Sequence, residues 1–232
     1  MNKYVRVALP IIAIVFLFNS LSSEASAQSG VLGEILKRMD NNNKGLVSLK
    51  SGIKMSKFNA QLGETDLTEG DLNYIPGKSE RDIYVRINWT KPVVEYLAIS
   101  KGEYVLYRPR TKQAIVGKVD SKKGNSKSGG ALAFMTMSKA QLRANYDVKY
   151  AGEESVASGV NTFHLVLTPK NANSYKSADL WVDRNGMPVQ AKILEKNNDT
   201  TTVLLLNVDR NATVKASDFK ITPPKGTAIV QG

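Results

Sequence analysis

Residues 81–109 read RDIYVRINWTKPVVEYLAISKGEYVLYRP. Ile83, Val85, Ile87 and Trp89 share one parity, while Asp82, Tyr84, Arg86 and Asn88 share the other. Successive side chains of a strand point to opposite faces, so this stretch presents one apolar and one polar face. β-Branched and aromatic residues dominate it, as strands prefer. Lys91-Pro92 and Lys101-Gly102 cut it into three segments. Connections that short join antiparallel neighbours, so a three-stranded meander is predicted.

The alternation extends outward from this meander. Upstream, in LVSLKSGIKMSKF (46–58), Leu49, Ser51, Ile53, Met55 and Lys57 fall on one side. A turn near Gln61-Leu62-Gly63 leads into a more polar strand, ETDLTEGDLNYIPG (64–77), closed by Pro76-Gly77-Lys78. Downstream, residues 113–119 (QAIVGKV) and 146–151 read as strands. NTFHLVLTP (161–169) puts Phe163, Leu165 and Leu167 together, and SADLWVD (177–183) sets Leu180 and Val182 opposite Trp181. Asp183-Arg184-Asn185-Gly186 is a hairpin turn, with Asn-Gly the strong signal. PVQAKILEK (188–196) sets Val189, Ala191 and Ile193 against Gln190, Lys192 and Leu194. Asn197-Asn198-Asp199 turns the chain into TTTVLLLNVD (200–209), where Leu204, Leu206 and Val208 share a face. Phe219-Lys220-Ile221 is the last strand-like piece. About eleven short strands with turns between them predict an all-β sandwich or barrel.

Two segments break this pattern. In VLGEILKRMD (31–40), Leu32, Ile35, Leu36 and Met39 recur at helical spacing, and Asn41 to Gly45 are expected to stop the helix. Residues 120–130 (DSKKGNSKSGG) read as a solvated linker. Then comes an apolar run, ALAFMTM (131–137), with Leu132, Phe134, Met135 and Met137, and Ser138 as N-cap of a helix over 139–145. Short helical pieces on a loop amid strands suggest a flap; an ordinary packed crossover is the alternative.

The chain of 232 residues opens with Lys3 and Arg6, an apolar core from Val7 to Phe18, and Ala25-Ser26-Ala27. That is the layout of a signal peptide cut after Ala27. The apolar run falls short of the ~20 residues a spanning helix needs. Cleavage would leave 205 residues, enough for one domain, with net charge moved from +11 to about +10. Gln28 follows the cut where a lipid-modified chain would carry cysteine, so a soluble exported protein is expected. With no cysteine in the chain, stability must come from packing and strand pairing. Export and scattered lysines argue against nucleic acid as the partner. The positive charge suits a solvated surface, anionic lipid headgroups or an acidic partner.

Groups suited to catalysis are few. His164 is the only histidine, and it sits mid-strand between Phe163 and Leu165. Catalytic use would need a positioned partner. No G-x-S-x-G and no thiol offer a nucleophile, and one histidine without cysteine makes zinc improbable. No phosphate-binding glycine loop occurs. Binding or transport is favoured over an enzyme, and no cofactor is expected.

At this point the residues meet a known pattern. LVLTPK (165–170), ADLWVDRNGMP (178–188) and DFKITPPKG (218–226) resemble the LolA-like outer-membrane lipoprotein carriers. An amphipathic helix before IKMSKF, then PGK (76–78), INWTKP (87–92) and SKGEYVLYRPRTKQAIV (100–116), agrees in order and spacing. The resemblance implies an unclosed antiparallel β-barrel of about eleven strands, with short α-helices as a lid over a hydrophobic cavity. It implies residues 1–27 as signal peptide and 28–232 as the lipid-binding domain. It implies acylated lipoproteins as cargo, an inner-membrane lipoprotein-releasing transporter, an outer-membrane acceptor and a monomeric carrier. Trp89 matches the family's aromatic at the end of a strand, and Ala131–Asn145 match the lid. The family often has Arg before its Pro-Gly, whereas Ile75 stands there in this chain. The candidate lipid-binding residues are Ile53, Met55, Ile83, Val85, Ile87, Trp89, Leu97, Leu106, Leu132, Phe134, Met135, Leu180 and Ile193. A shuttle for another envelope lipid (phospholipid or glycolipid) and a lipoprotein-sensing regulator are the alternatives.

Overall fold

The computed structural model describes residues 22–77, 82–119, 137–171 and 175–232, with side chains from Ser29 onward. Twelve strands form one sheet. They are β1 (Leu49–Asn59), β2 (Glu64–Ile75), β3 (Tyr84–Lys91), β4 (Glu95–Ser100), β5 (Glu103–Arg108) and β6 (Gln113–Lys118). After them come β7 (Tyr146–Ser155), β8 (Asn161–Pro169), β9 (Ser177–Asp183), β10 (Pro188–Leu194), β11 (Thr200–Arg210) and β12 (Ala228–Gln231). The order across the sheet is β12-β6-β5-β4-β3-β2-β1-β11-β10-β9-β8-β7. β12 and β7 stand at opposite edges without pairing, so the sheet is unclosed. Every neighbouring pair is antiparallel except β12 and β6.

The meander forms as its alternation predicts. Ser100 pairs Glu103, and Lys101 and Gly102 both take positive φ, at 54° and 75°. That is the type I′ turn whose twist suits a two-residue hairpin. Gly186 also needs its lack of a side chain. Its φ is 86°, and a Cβ there would lie 2.3 Å from the Arg38 carbonyl of helix α1. The β9–β10 turn therefore presses directly on the helix backbone.

Helix α1 spans Ser22–Gly45, so it includes the expected cleavage point and does not stop at Asn41. Tertiary partners take up the polar run that was expected to end it. The Asn43 amide donates to the Met137 carbonyl at 3.0 Å, and the Asn211 amide donates to the Gly45 carbonyl at 3.2 Å. Helix α2 (Lys139–Asn145) forms as expected. The Gln141 backbone N–H donates to Ser138 Oγ, and Gln141 Oε1 accepts from the Ser138 N–H, a reciprocal cap. Residues 120–136, with Leu132, Phe134 and Met135, lie outside the described residues.

The C-terminal segment corrects the sequence reading. Ala216–Phe219 is a 3-10 turn, not a strand, and the last strand is β12. Phe219 is fully buried against the sheet, its ring edge-on to Tyr84 at 5.7 Å. Arg86, partly buried, donates Nη1 to the Lys220 carbonyl at 2.9 Å and lies 5.4 Å over the Tyr96 ring. Burial pulls this guanidinium below its ordinary pKa. Ala98 and Ala114 are buried on the same side, so a small outer core sits on β3–β6.

Candidate lipid-binding face

Helix α1 identifies the inner face of the sheet. Arg38 lies 5.9 Å over the Phe163 ring, and Phe163 shares parity with Leu165 and Leu167. Following pairs across the sheet, Leu165 meets Leu180, Leu180 meets Ala191, Ala191 meets Val203 and Val203 meets Met55. Beyond β1, Ile53 is opposite Gly70, and Gly70 is opposite Trp89. One row lower, Leu72, Ile87, Leu97, Leu106 and Ile115 lie in consecutive register. Directly paired residues of an antiparallel ladder share a face, so these side chains form one continuous apolar surface.

That surface collects every described candidate residue. Ile53, Met55, Val85, Ile87, Trp89, Leu180 and Ile193 are buried, and Ile83, Leu97 and Leu106 are half-buried. Ile83 lies just before β3 begins. Leu132, Phe134 and Met135 fall outside the described residues. Ile35, Leu36 and Met39 of α1, and Leu142 of α2, join the same apolar cluster, so helices cover part of the face. Sequence reasoning missed Leu72 and Tyr74, because polar neighbours mask them in ETDLTEGDLNYIPG. Their alternation with Asp71, Asn73 and Ile75 was the available signal.

Gly70 shows why this part of the sheet tolerates no side chain. A Cβ there would come within 2.2 Å of the Asn88 carbonyl, at a register irregularity opposite Trp89. Nearby on the outer face, Glu69 receives Lys54 Nζ at 2.8 Å and Lys91 Nζ at 3.3 Å. These hydrogen bonds hold its carboxyl below the ordinary carboxylate range. At the other end of the sheet, the Tyr175 hydroxyl donates to the Tyr146 hydroxyl at 2.7 Å. Burial, then this bond, push the Tyr175 hydroxyl far above its ordinary pKa.

His164 has a structural setting on the outer face. Its Nδ1 is 3.1 Å from Glu154 and its Nε2 is 2.8 Å from Asp179. The ring stacks on Trp181 at 4.6 Å, and Trp181 Nε1 donates to Glu154. The quartet ties β7, β8 and β9 together with both ring nitrogens engaged. Among the described residues no group of His, Asp and Glu side chains could hold a metal ion. No described helix is long and apolar enough to cross a membrane.

Comparison with known proteins agrees with this geometry. The family model "Outer membrane lipoprotein carrier protein LolA" matches residues 77–222, more than half of the chain. An outer-membrane lipoprotein carrier protein of Klebsiella pneumoniae (strain 342) is 27% identical over 192 residues, covering 78% of this chain and 85% of its own. A protein of the same name from Pseudomonas fluorescens (strain Pf0-1) is 25% identical over 231 residues, covering 99% of each. Among solved structures, an uncharacterized conserved protein from Thermus thermophilus superposes with a TM-score of 0.53 at 14% identity, covering 87% of this chain and 99% of that one. That likeness speaks for the fold alone. With that family model matched over more than half of its length, the chain belongs to the LolA family of outer-membrane lipoprotein carrier proteins.

Proposed function

We propose that this protein is a periplasmic carrier that shelters lipoprotein acyl chains against its inner face. Residues 1–27 direct export and are removed, and residues 28–232 do the carrying as a monomer. Cargo comes from an inner-membrane lipoprotein-releasing transporter and passes to an outer-membrane acceptor. The observation that supports this reading is the inner face itself. It is apolar across the sheet, yet Ile83, Leu97 and Leu106 are only half-covered by the protein's own side chains.

The energetics suit a carrier. Each methylene contributes roughly 0.8 kcal/mol of transfer free energy, so a ~16-carbon chain left in water costs on the order of 10 kcal/mol. The inner face must offset most of that. Part of it is already covered by α1 and α2, so cargo must displace covering side chains. The free energy of that opening subtracts from affinity, which leaves a grip weak enough for hand-over. Met39, Met55 and Met137 suit such a surface, since unbranched thioether chains repack readily.

Uptake of a triacylated lipopeptide by inner-face variants tests the proposal. Trp89→Glu, Ile87→Glu and Leu106→Glu are expected to abolish uptake. Leu106 is the half-buried site, where the fold is best retained. Normal uptake by a folded Leu106→Glu protein would place the cargo elsewhere.

A further inference from the structure

One rim of the barrel gathers exposed apolar side chains. It is the end where β1, β3 and β5 finish and β2, β4 and β6 begin. Leu62 at the β1–β2 turn is 68% exposed and Leu67 on β2 is 65% exposed. Phe58 at the end of β1, and Val93 and Val94 in the β3–β4 turn, are exposed as well. β3 pairs with β2 only from Glu69 onward, so Glu64–Thr68 project past the end of β3. Phe58 and Leu67 share the outer parity of the paired Lys54 and Glu69. Exposed apolar residues scattered singly need no explanation, but five gathered on two hairpins at one rim do.

The same rim is basic. Residues 57–67, 90–95, 108–112 and 194–200, with Lys170 and Lys176, carry eight cations against five carboxylates. Among the described residues, the opposite rim (44–48, 76–77, 82–83, 100–103, 117–119, 153–161, 183–188 and 207–211) carries five against six. Arg108 reaches Glu95 at 3.0 Å, which sets the Arg110 and Lys112 loop beside Val94. Lys91, Arg110 and Lys112 therefore lie around Val93 and Val94, while Lys57, Glu64 and Asp66 accompany Leu62 and Leu67. Apolar residues interleaved with Lys and Arg are the composition of a surface that lies on an anionic bilayer.

We propose that this rim docks on a bilayer containing anionic phospholipid. Leu62, Leu67, Val93 and Val94 enter the headgroup region, and Arg110 and Lys112 meet the phosphates. Docking here sets the end of the inner face that carries Trp89 and Met55 toward the membrane, so the inference rests on the carrier reading for its purpose. The contacts themselves use no inner-face residue.

Co-sedimentation with vesicles of phosphatidylethanolamine plus phosphatidylglycerol, and with vesicles of phosphatidylcholine alone, tests it on the protein purified after export. Wild type should partition at least tenfold more strongly onto the anionic vesicles. Leu62→Asp with Val94→Asp should reduce that partition at least tenfold. Arg110→Glu with Lys112→Glu should reduce it at least fivefold for each cation reversed, since one surface cation contributes about a factor of five. All four positions are exposed, so unchanged thermal unfolding and unchanged lipopeptide uptake are expected. Trp89→Glu should do the reverse, losing uptake while still sedimenting with anionic vesicles. Rim variants that sediment like wild type, or wild type that ignores both vesicles, would overturn the docking proposal without touching the carrier reading. Rim variants that keep vesicle binding but lose association with an acidic protein would reassign the surface to that protein.

Discussion

In β8–β11 the inner face is filled. Leu165, Leu167, Leu180, Ala191 and Val203 have no solvent exposure, and the β9–β10 turn presses Gly186 onto α1. In β3–β6 the inner face carries the same kinds of side chain, yet Leu97, Ile99, Leu106 and Ile115 stay half-buried. On the inner face burial reaches only as far as Val85, Ile87 and Trp89 of β3; beyond them the buried side chains lie on the opposite side, where Phe219, Ala98 and Ala114 form the outer core. One half is thus stabilised from within and the other from behind. A half backed from outside can keep its shape while its inner face stays available, which is what an exchangeable apolar ligand requires.

The largest expected effect comes from removing that backing. Phe219→Ala should lower stability by roughly 3–5 kcal/mol, the usual range for a buried phenylalanine, measured by urea denaturation. It should also weaken lipopeptide uptake, because the β3–β6 half loses its support. Unaltered stability would mean that the outer core is not what holds this half. Next, the two inner faces should answer the same substitution differently. Leu180→Ala should cost about 2–5 kcal/mol, while Leu106→Ala should cost no more than ~1.5 kcal/mol, since less contact is lost at a half-buried site. Equal costs would erase the distinction between the halves.

Binding should invert that ranking. Leu106→Asn should leave the fold intact and reduce lipopeptide affinity roughly thirtyfold, from the ~2 kcal/mol of apolar contact withdrawn. A comparable loss from a polar change on β9 would shift the cargo toward the packed half. The smallest effect concerns Glu69, which ties β1, β2 and β3 through Lys54 and Lys91 on the outer face. Its folded pKa is depressed, so its contribution is present above the unfolded carboxyl value and lost as pH falls through the folded value. Glu69→Gln should therefore lower Tm slightly at neutral pH and leave it unchanged in strong acid. A Tm difference that grows toward low pH would contradict this sign.

Local signals made much of this architecture legible before any coordinates. Alternation placed Val85, Ile87 and Trp89 on one face. Lys101-Gly102 and Asn185-Gly186 marked tight turns, and Ser138 marked a helix start. Readings failed where distant parts of the chain decide the outcome. Asn41 to Gly45 favour a helix end on propensity, yet Met137 and Asn211 supply partners that let α1 continue. Phe219 read as a strand residue because its partner Tyr84 lies far away in sequence. β12 has four exposed residues and a parallel partner, so it carries neither an alternating pattern nor a hairpin signal. Of the candidate face, the β3 parity and Leu180 were visible in sequence, whereas polar neighbours masked the alternation of Leu72 and Tyr74, and register brought Ile115 onto the same face.

The claim that matters most is that the half-covered inner face of β3–β6 takes up lipid tails. Mass spectrometry of the protein purified from the periplasm tests it most directly. Co-purified triacylated peptide, absent from the Leu106→Glu variant, is the expected result. Free phospholipid or glycolipid in its place would keep the face and change the cargo; no acylated molecule at all would contradict the claim.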